Sequence, residues 1–80
     1  MNNGWFDVPV RIETGGSVQI VMSAREAADI LSIHWLEERG PKYDIARRAC
    51  LSAMQQHIAP IVARRAFENA AREAGILVES

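Results

Sequence analysis

At Ser23 the hydrophobic pattern of this chain changes period. Before it, Val8-Pro-Val-Arg-Ile-Glu-Thr and Ser17-Val-Gln-Ile-Val-Met flank Gly15-Gly16, and each alternates apolar with polar, the pattern of a hairpin with one buried face. After it, apolar residues recur at helical spacing almost to the C-terminus. A switch from period two to period 3.6 within 80 residues predicts an α+β fold: an antiparallel hairpin over about 8–22, with three helices packed on one face.

Each helix carries its own limits. Ser23 with Glu26 forms a capping box, and Ala24, Ala27, Ala28, Leu31 and Trp35 fall on one stripe. Gly40 is then expected as a left-handed stop before Pro41, which gives a first helix over about 24–39. A second helix over about 42–58 buries Ala46, Ala49, Cys50, Ala53 and His57, with Tyr43 and Met54 beside that stripe. Pro60 suits the first turn of a new helix and disfavours helical geometry at Ala59, so the chain is broken there rather than run on as one kinked helix. The third helix, about 60–74, has Ala63, Ala66, Phe67, Ala70, Ala71 and Ala74 on its stripe and Gly75 as its stop. Residues 76–79 either add a short third strand or fray. The echo of Ile45-Ala-Arg-Arg-Ala-Cys in Val62-Ala-Arg-Arg-Ala-Phe is what two small-residue helix faces look like, not a repeat architecture.

Turn parity fixes which hairpin face is buried. A two-residue Gly15-Gly16 loop would set Ile12 opposite Gln19 and mix the faces, whereas a three-residue loop pairs Ile12 with Ile20 and Val10 with Met22. The longer loop is expected, with Val21 pointing outward. Pro9 cannot donate to a ladder, so the first strand is partly unpaired near its start. Trp5 and Phe6 are expected to close one end of the core.

Eighty residues make one domain, and folding at that size buries only ~60% of the surface the unfolded chain exposes, which leaves no room for a large cofactor cavity. Much of the 49% apolar content is alanine. Nine basic against ten acidic side chains give a net charge of −1, which removes any whole-molecule attraction to nucleic acid or anionic membrane. No apolar run reaches the length of a membrane span, and the first residues do not read as a signal peptide, so the expected location is the cytoplasm. The one cysteine, Cys50, agrees with a reducing compartment.

The aromatic start before Pro9-Val10, Ala27-Ala28 with Leu31 and Trp35, Gly40, Ala46, Cys50, Ala53, Arg65-Ala66-Phe67, Ala70-Ala71 and Ala74-Gly75-Ile76 together resemble a family of small proteins, mainly of soil alphaproteobacteria, catalogued as domain of unknown function 982. The resemblance spans nearly the whole chain. It implies a compact hairpin-and-three-helix domain and brings no activity, cofactor or catalytic residue with it. In the family a proline often follows the tryptophan; this chain has Leu36 there, a departure expected to let the first helix run on to Arg39.

Reactive side chains do not assemble into a constellation. His34, Cys50 and His57 match no metal-site spacing; Cys50 reads as a buried, unreactive thiol and His57 as a cap on the core. Glu37 and Glu38 point to different faces of a helix, and Gly15-Gly16 is too short for a phosphate loop. No cofactor, metal or catalytic residue is expected. Two surfaces remain. Ile30, Ile33 and Leu36 form a second apolar strip, which is either covered by Trp5-Phe6 or left to a partner. Arg47, Arg48, Arg64, Arg65 and Arg72 form a basic patch if the second and third helices lie side by side, although Glu68 is placed to pair with Arg64 and Arg72. The expected function is therefore a non-catalytic cytoplasmic interaction module whose partner is another protein or a second copy of the chain. The competing expectation is a weak nucleic-acid binder through the arginines.

Overall fold

The computed structural model describes residues 3–35 and 40–78. The elements are β1 (Trp5–Thr14), β2 (Ser17–Ser23), α1 (Ala24–Asp29), a π-helical turn that continues α1 (Ile30–His34), α2 (Pro41–Met54) and α3 (Pro60–Ala74). β1 and β2 pair antiparallel, and the helices pack on one face of the hairpin, so the fold is α+β as its periodicity requires. The largest side chains fully buried in the core are Phe67 of α3, Ile12, Val10 and Val21 from the hairpin and Leu31 from the π turn. Ala46, Cys50 and Ala53 of α2 lie buried with Ala63, Ala70 and Ala71 of α3; such small side chains let two helix backbones approach closely.

The hairpin turn departs from the expected three-residue loop. Gly15 and Gly16 form a two-residue turn with φ of 57° and 82°, and Ile12 faces Gln19 while Val10 faces Val21. Two successive positive φ angles give the turn whose twist matches the flanking strands, and two glycines adopt it without Cβ strain. The feared mixing of faces costs little because Gln19 lies toward the exposed tip of β2. Register also inverts the expected faces: Val21 is buried, and Val18, Ile20 and Met22 point to solvent.

Side-chain and backbone groups from distant segments satisfy the helix starts. Ser23 Oγ accepts the Glu26 N–H at 3.1 Å, as a capping box requires, while the Glu26 carboxylate accepts from the Met22 N–H at 2.9 Å. The N–H groups of Ala24 and Arg25 donate to the carbonyls of Gly4 and Asn3 at 2.8 and 3.0 Å. This close crossing needs glycine: Gly4 has φ 66°, and a Cβ there would stand 2.8 Å from that of Ala24. At the other end of the molecule Glu73 of α3 accepts from the Lys42 N–H in the first turn of α2 at 3.2 Å, a carboxylate at a helix N-terminus.

Helix ends differ from expectation in two places. Trp35 is extended (φ −75°, ψ 148°), so the first helix does not run on to Arg39 in spite of Leu36; residues 36–39, with Glu37 and Glu38, lie outside the described residues. Leaving the helix at Trp35 places its indole 6.0 Å from the rings of both Tyr43 and Phe67. The Tyr43 hydroxyl in turn donates to the Leu31 carbonyl at 2.6 Å. Gly40, with φ −80° and ψ −179°, is extended and precedes α2; it is not a left-handed stop. α2 ends at Met54, short of residue 58, in a Schellman turn: Gln56 takes φ 63°, and the N–H groups of Gln56 and His57 return to the carbonyls of Ala53 and Ser52. His57 is consequently exposed on that turn and does not cap the core.

After α3 the left-handed Gly75, with φ 76°, reverses the chain. Residues 76–78 then lie antiparallel along β1: the Glu13 N–H donates to the Ile76 carbonyl at 2.8 Å, and the Val78 N–H donates to the Arg11 carbonyl at 2.9 Å. The C-terminal segment joins the sheet.

Candidate functional site

Backbone groups of alternate residues in an antiparallel strand point to alternate edges. Arg11 and Glu13 direct theirs to the C-terminal segment, so Val10 and Ile12 direct theirs to β2, and their partners Val21 and Gln19 reply. Val18, Ile20 and Met22 therefore direct theirs to the other edge of β2, where the Met22 N–H is held by Glu26. Among the described residues no strand pairs with that edge. The side chains of the same three residues line the outer face of the hairpin at alternate positions, and Val18 and Ile20 are 55% and 56% exposed. An apolar outer face and an unpaired edge thus coincide on one strand.

The two surfaces expected from sequence do not assemble in the same way. Ile30 is 3% exposed and belongs to the core, so it is removed from the apolar strip; Ile33 is 71% exposed, and Leu36 lies outside the described residues. Trp5, expected to close the core, is itself 58% exposed, and only Phe6 packs against the buried cluster. Of the arginines, Arg64 is bound on two sides, to Asp7 at 3.0 Å and to Glu68 at 2.8 Å, the second being the expected pairing along α3. Arg72 bonds to Asn69 at 3.1 Å in addition to its other interactions. Arg47, Arg48 and Arg65 are exposed, with Arg48 and Arg65 each opposite the buried stripe of its own helix.

Among the described residues, the groups with chemical potential are buried or lie apart. Cys50 is fully buried, and burial pushes its thiol up to about 12, far from the thiolate that nucleophilic chemistry needs. The side chain of His34 lies outside the described residues. Among the described residues no three His, Cys, Asp or Glu side chains converge on a point where a metal ion would sit, and no helix is long and apolar enough to cross a membrane. A cleft of about 290 Å³ runs between the start of β1, the C-terminal segment and Glu68, but Glu68 already serves Arg64.

A three-residue turn hides the outer trio, because one added residue turns Val18, Ile20 and Met22 inward. The signal was present in Gly15-Gly16, since adjacent glycines are suited to a two-residue turn with both φ positive, and that turn alone places Val18, Ile20 and Met22 outside. The roles of Glu26 beyond its own helix and of Glu73 on α2 depend on tertiary approach and leave no local signature.

Fold and surface together define a small α+β hairpin-and-three-helix domain. The chain belongs to the family described as protein of unknown function DUF982, whose model matches residues 8–78. It is similar to the Agrobacterium tumefaciens protein Atu1219, solved by NMR, at 32% identity and a TM-score of 0.79, over 99% of this chain and 80% of that one. No curated protein matches the chain.

Proposed function

We propose that this chain is a non-catalytic cytoplasmic interaction module that docks through the outer side of β2. The observation that carries the reading is the coincidence of Val18, Ile20 and Met22 on the solvent face with an unpaired edge of the same strand. A small chain gains little from solvent-exposed β-branched residues, and adding a strand to such an edge is a general mode of recognition, with main-chain bonds for affinity and alternate side chains for specificity. The inert Cys50 and the engaged Arg64 support a binding role over a catalytic or phosphate-contacting one.

The test compares two double variants as bait in an alphaproteobacterial lysate. Val18→Thr with Ile20→Thr keeps β-branching while it removes the apolar surface, and should lose the partners that the wild type captures. Arg48→Glu with Arg65→Glu should retain them. The reading is refuted by the reverse outcome, or by binding of labelled DNA or RNA that weakens steeply with salt and vanishes in the arginine variant.

A further inference from the structure

The two edges of the sheet are guarded differently. The edge of β1 is covered by residues 76–78 where those residues reach, and Pro9 and a register irregularity between Trp5 and Val10 protect its start. The edge of β2 is guarded at one point, where Glu26 takes the Met22 N–H; the strand itself, Ser17-Val-Gln-Ile-Val-Met-Ser, carries no charge, no proline and no bulge. Proteins seldom leave such a strand open, because it is a template for another strand.

We propose that the partner of this edge is a second copy of the chain, joined β2 to β2 antiparallel across a two-fold axis at Ile20. The inference rests on the interaction reading and names its occupant. Centring the axis on Ile20 overlaps the whole strand, Ser17 facing the partner's Ser23. Ile20 then exchanges both main-chain hydrogen bonds with the partner's Ile20, since its N–H and C=O point to the edge. The Val18 N–H donates to the carbonyl of the partner's Met22. The Met22 N–H, held by Glu26 in the single copy, passes to the carbonyl of the partner's Val18, and the Glu26 carboxylate stays beside Ser23 Oγ.

Side chains and charges fit the same register. Ile20 meets the partner's Ile20 and Val18 meets the partner's Met22, so the exposed trio of each copy runs on into the other as one apolar strip. Arg11 and Glu13, opposite Ile20 and Val18 on β1, stand one strand back from the junction on each side, and no like charges meet there. On the inner face Val21 and Ser23 are covered, whereas Ser17 and Gln19 are exposed, which leaves the tip half of each β2 open toward the helices of the other copy. A junction of this length falls at the weak end of specific interfaces, so the dimer exchanges, with a Kd between about 1 μM and about 1 mM.

Sedimentation of the full chain over a concentration series is the test, with folding of each variant checked by its amide spectrum. Wild type should dimerise below about 1 mM, and Ile20→Lys, which sets like charges face to face on the axis, should raise Kd at least about tenfold. The combination of Val18→Lys with Met22→Glu should dimerise again, because this register places the introduced lysine against the partner's introduced glutamate. A wild type that stays monomeric at about 1 mM overturns the proposal whatever the variants do, and so does an Ile20→Lys protein that dimerises as before. Capture of another protein through Val18 and Ile20 by a monomeric wild type would overturn self-pairing alone and leave the interaction reading standing.

Discussion

One hairpin sends apolar side chains to both of its faces, and they meet opposite fates. Val10, Ile12 and Val21 lie under the helices with almost no exposure, while Val18, Ile20 and Met22, their neighbours along the chain, face solvent. Hydrophobicity does not separate the two sets; register does, and register is set by the two glycines of the turn. The inner face explains why the chain folds. The outer face has no such explanation within one copy, and the proposed function is placed there for that reason.

The comparison breaks first at its strongest contrast. Ile12→Ala removes a fully buried side chain from the core and should lower unfolding free energy by about 2–5 kcal/mol in urea titrations. Next comes Gly4→Ala, which adds a Cβ at a φ of 66° against Ala24 on the side the helices close; a loss of about 2–4 kcal/mol is expected by the same measurement. A smaller effect concerns Cys50. Its folded thiol titrates at about 12 against an ordinary value of 9.0, because burial disfavours the thiolate. Folded pKa above unfolded pKa means that the neutral thiol's contribution is complete below about pH 9 and is lost as pH climbs toward 12. Unfolding of wild type and Cys50→Ala, compared at neutral pH and above pH 9, should show the steeper fall in wild type. Equal falls would remove Cys50 as the cause. Smallest of all is Ile20→Thr, which at concentrations where the chain is monomeric should stay within about 0.5 kcal/mol of wild type. A loss there like that of Ile12→Ala would show that the outer face is part of the core.

Local chemistry made much of this fold legible. The capping box at Ser23 and Glu26, the break at Pro60, the stop at Gly75 and the alanine stripes of α1, α2 and α3 are written in residues within a few positions of one another. The end of the first helix was not legible, because Trp35 leaves it to stand between Tyr43 and Phe67, rings that are distant in sequence. Gly40 and Gln56 reversed the usual assignment, with the glycine extended and the glutamine left-handed, so composition at a helix end was a poor guide. For the candidate surface the difficulty was parity. One residue in the turn decides whether Val21 or Ile20 is inside, and alternation alone reads the same either way.

Amide hydrogen exchange along β2, followed at low and high protein concentration, tests the central claim most directly. Gln19 and Val21, whose N–H groups face β1, should be protected throughout. Val18 and Ile20, whose N–H groups face the open edge, should exchange freely in dilute protein and gain protection as concentration rises. Free exchange of Val18 and Ile20 at every concentration, or concentration-dependent protection around Ile33 in their place, would contradict the account.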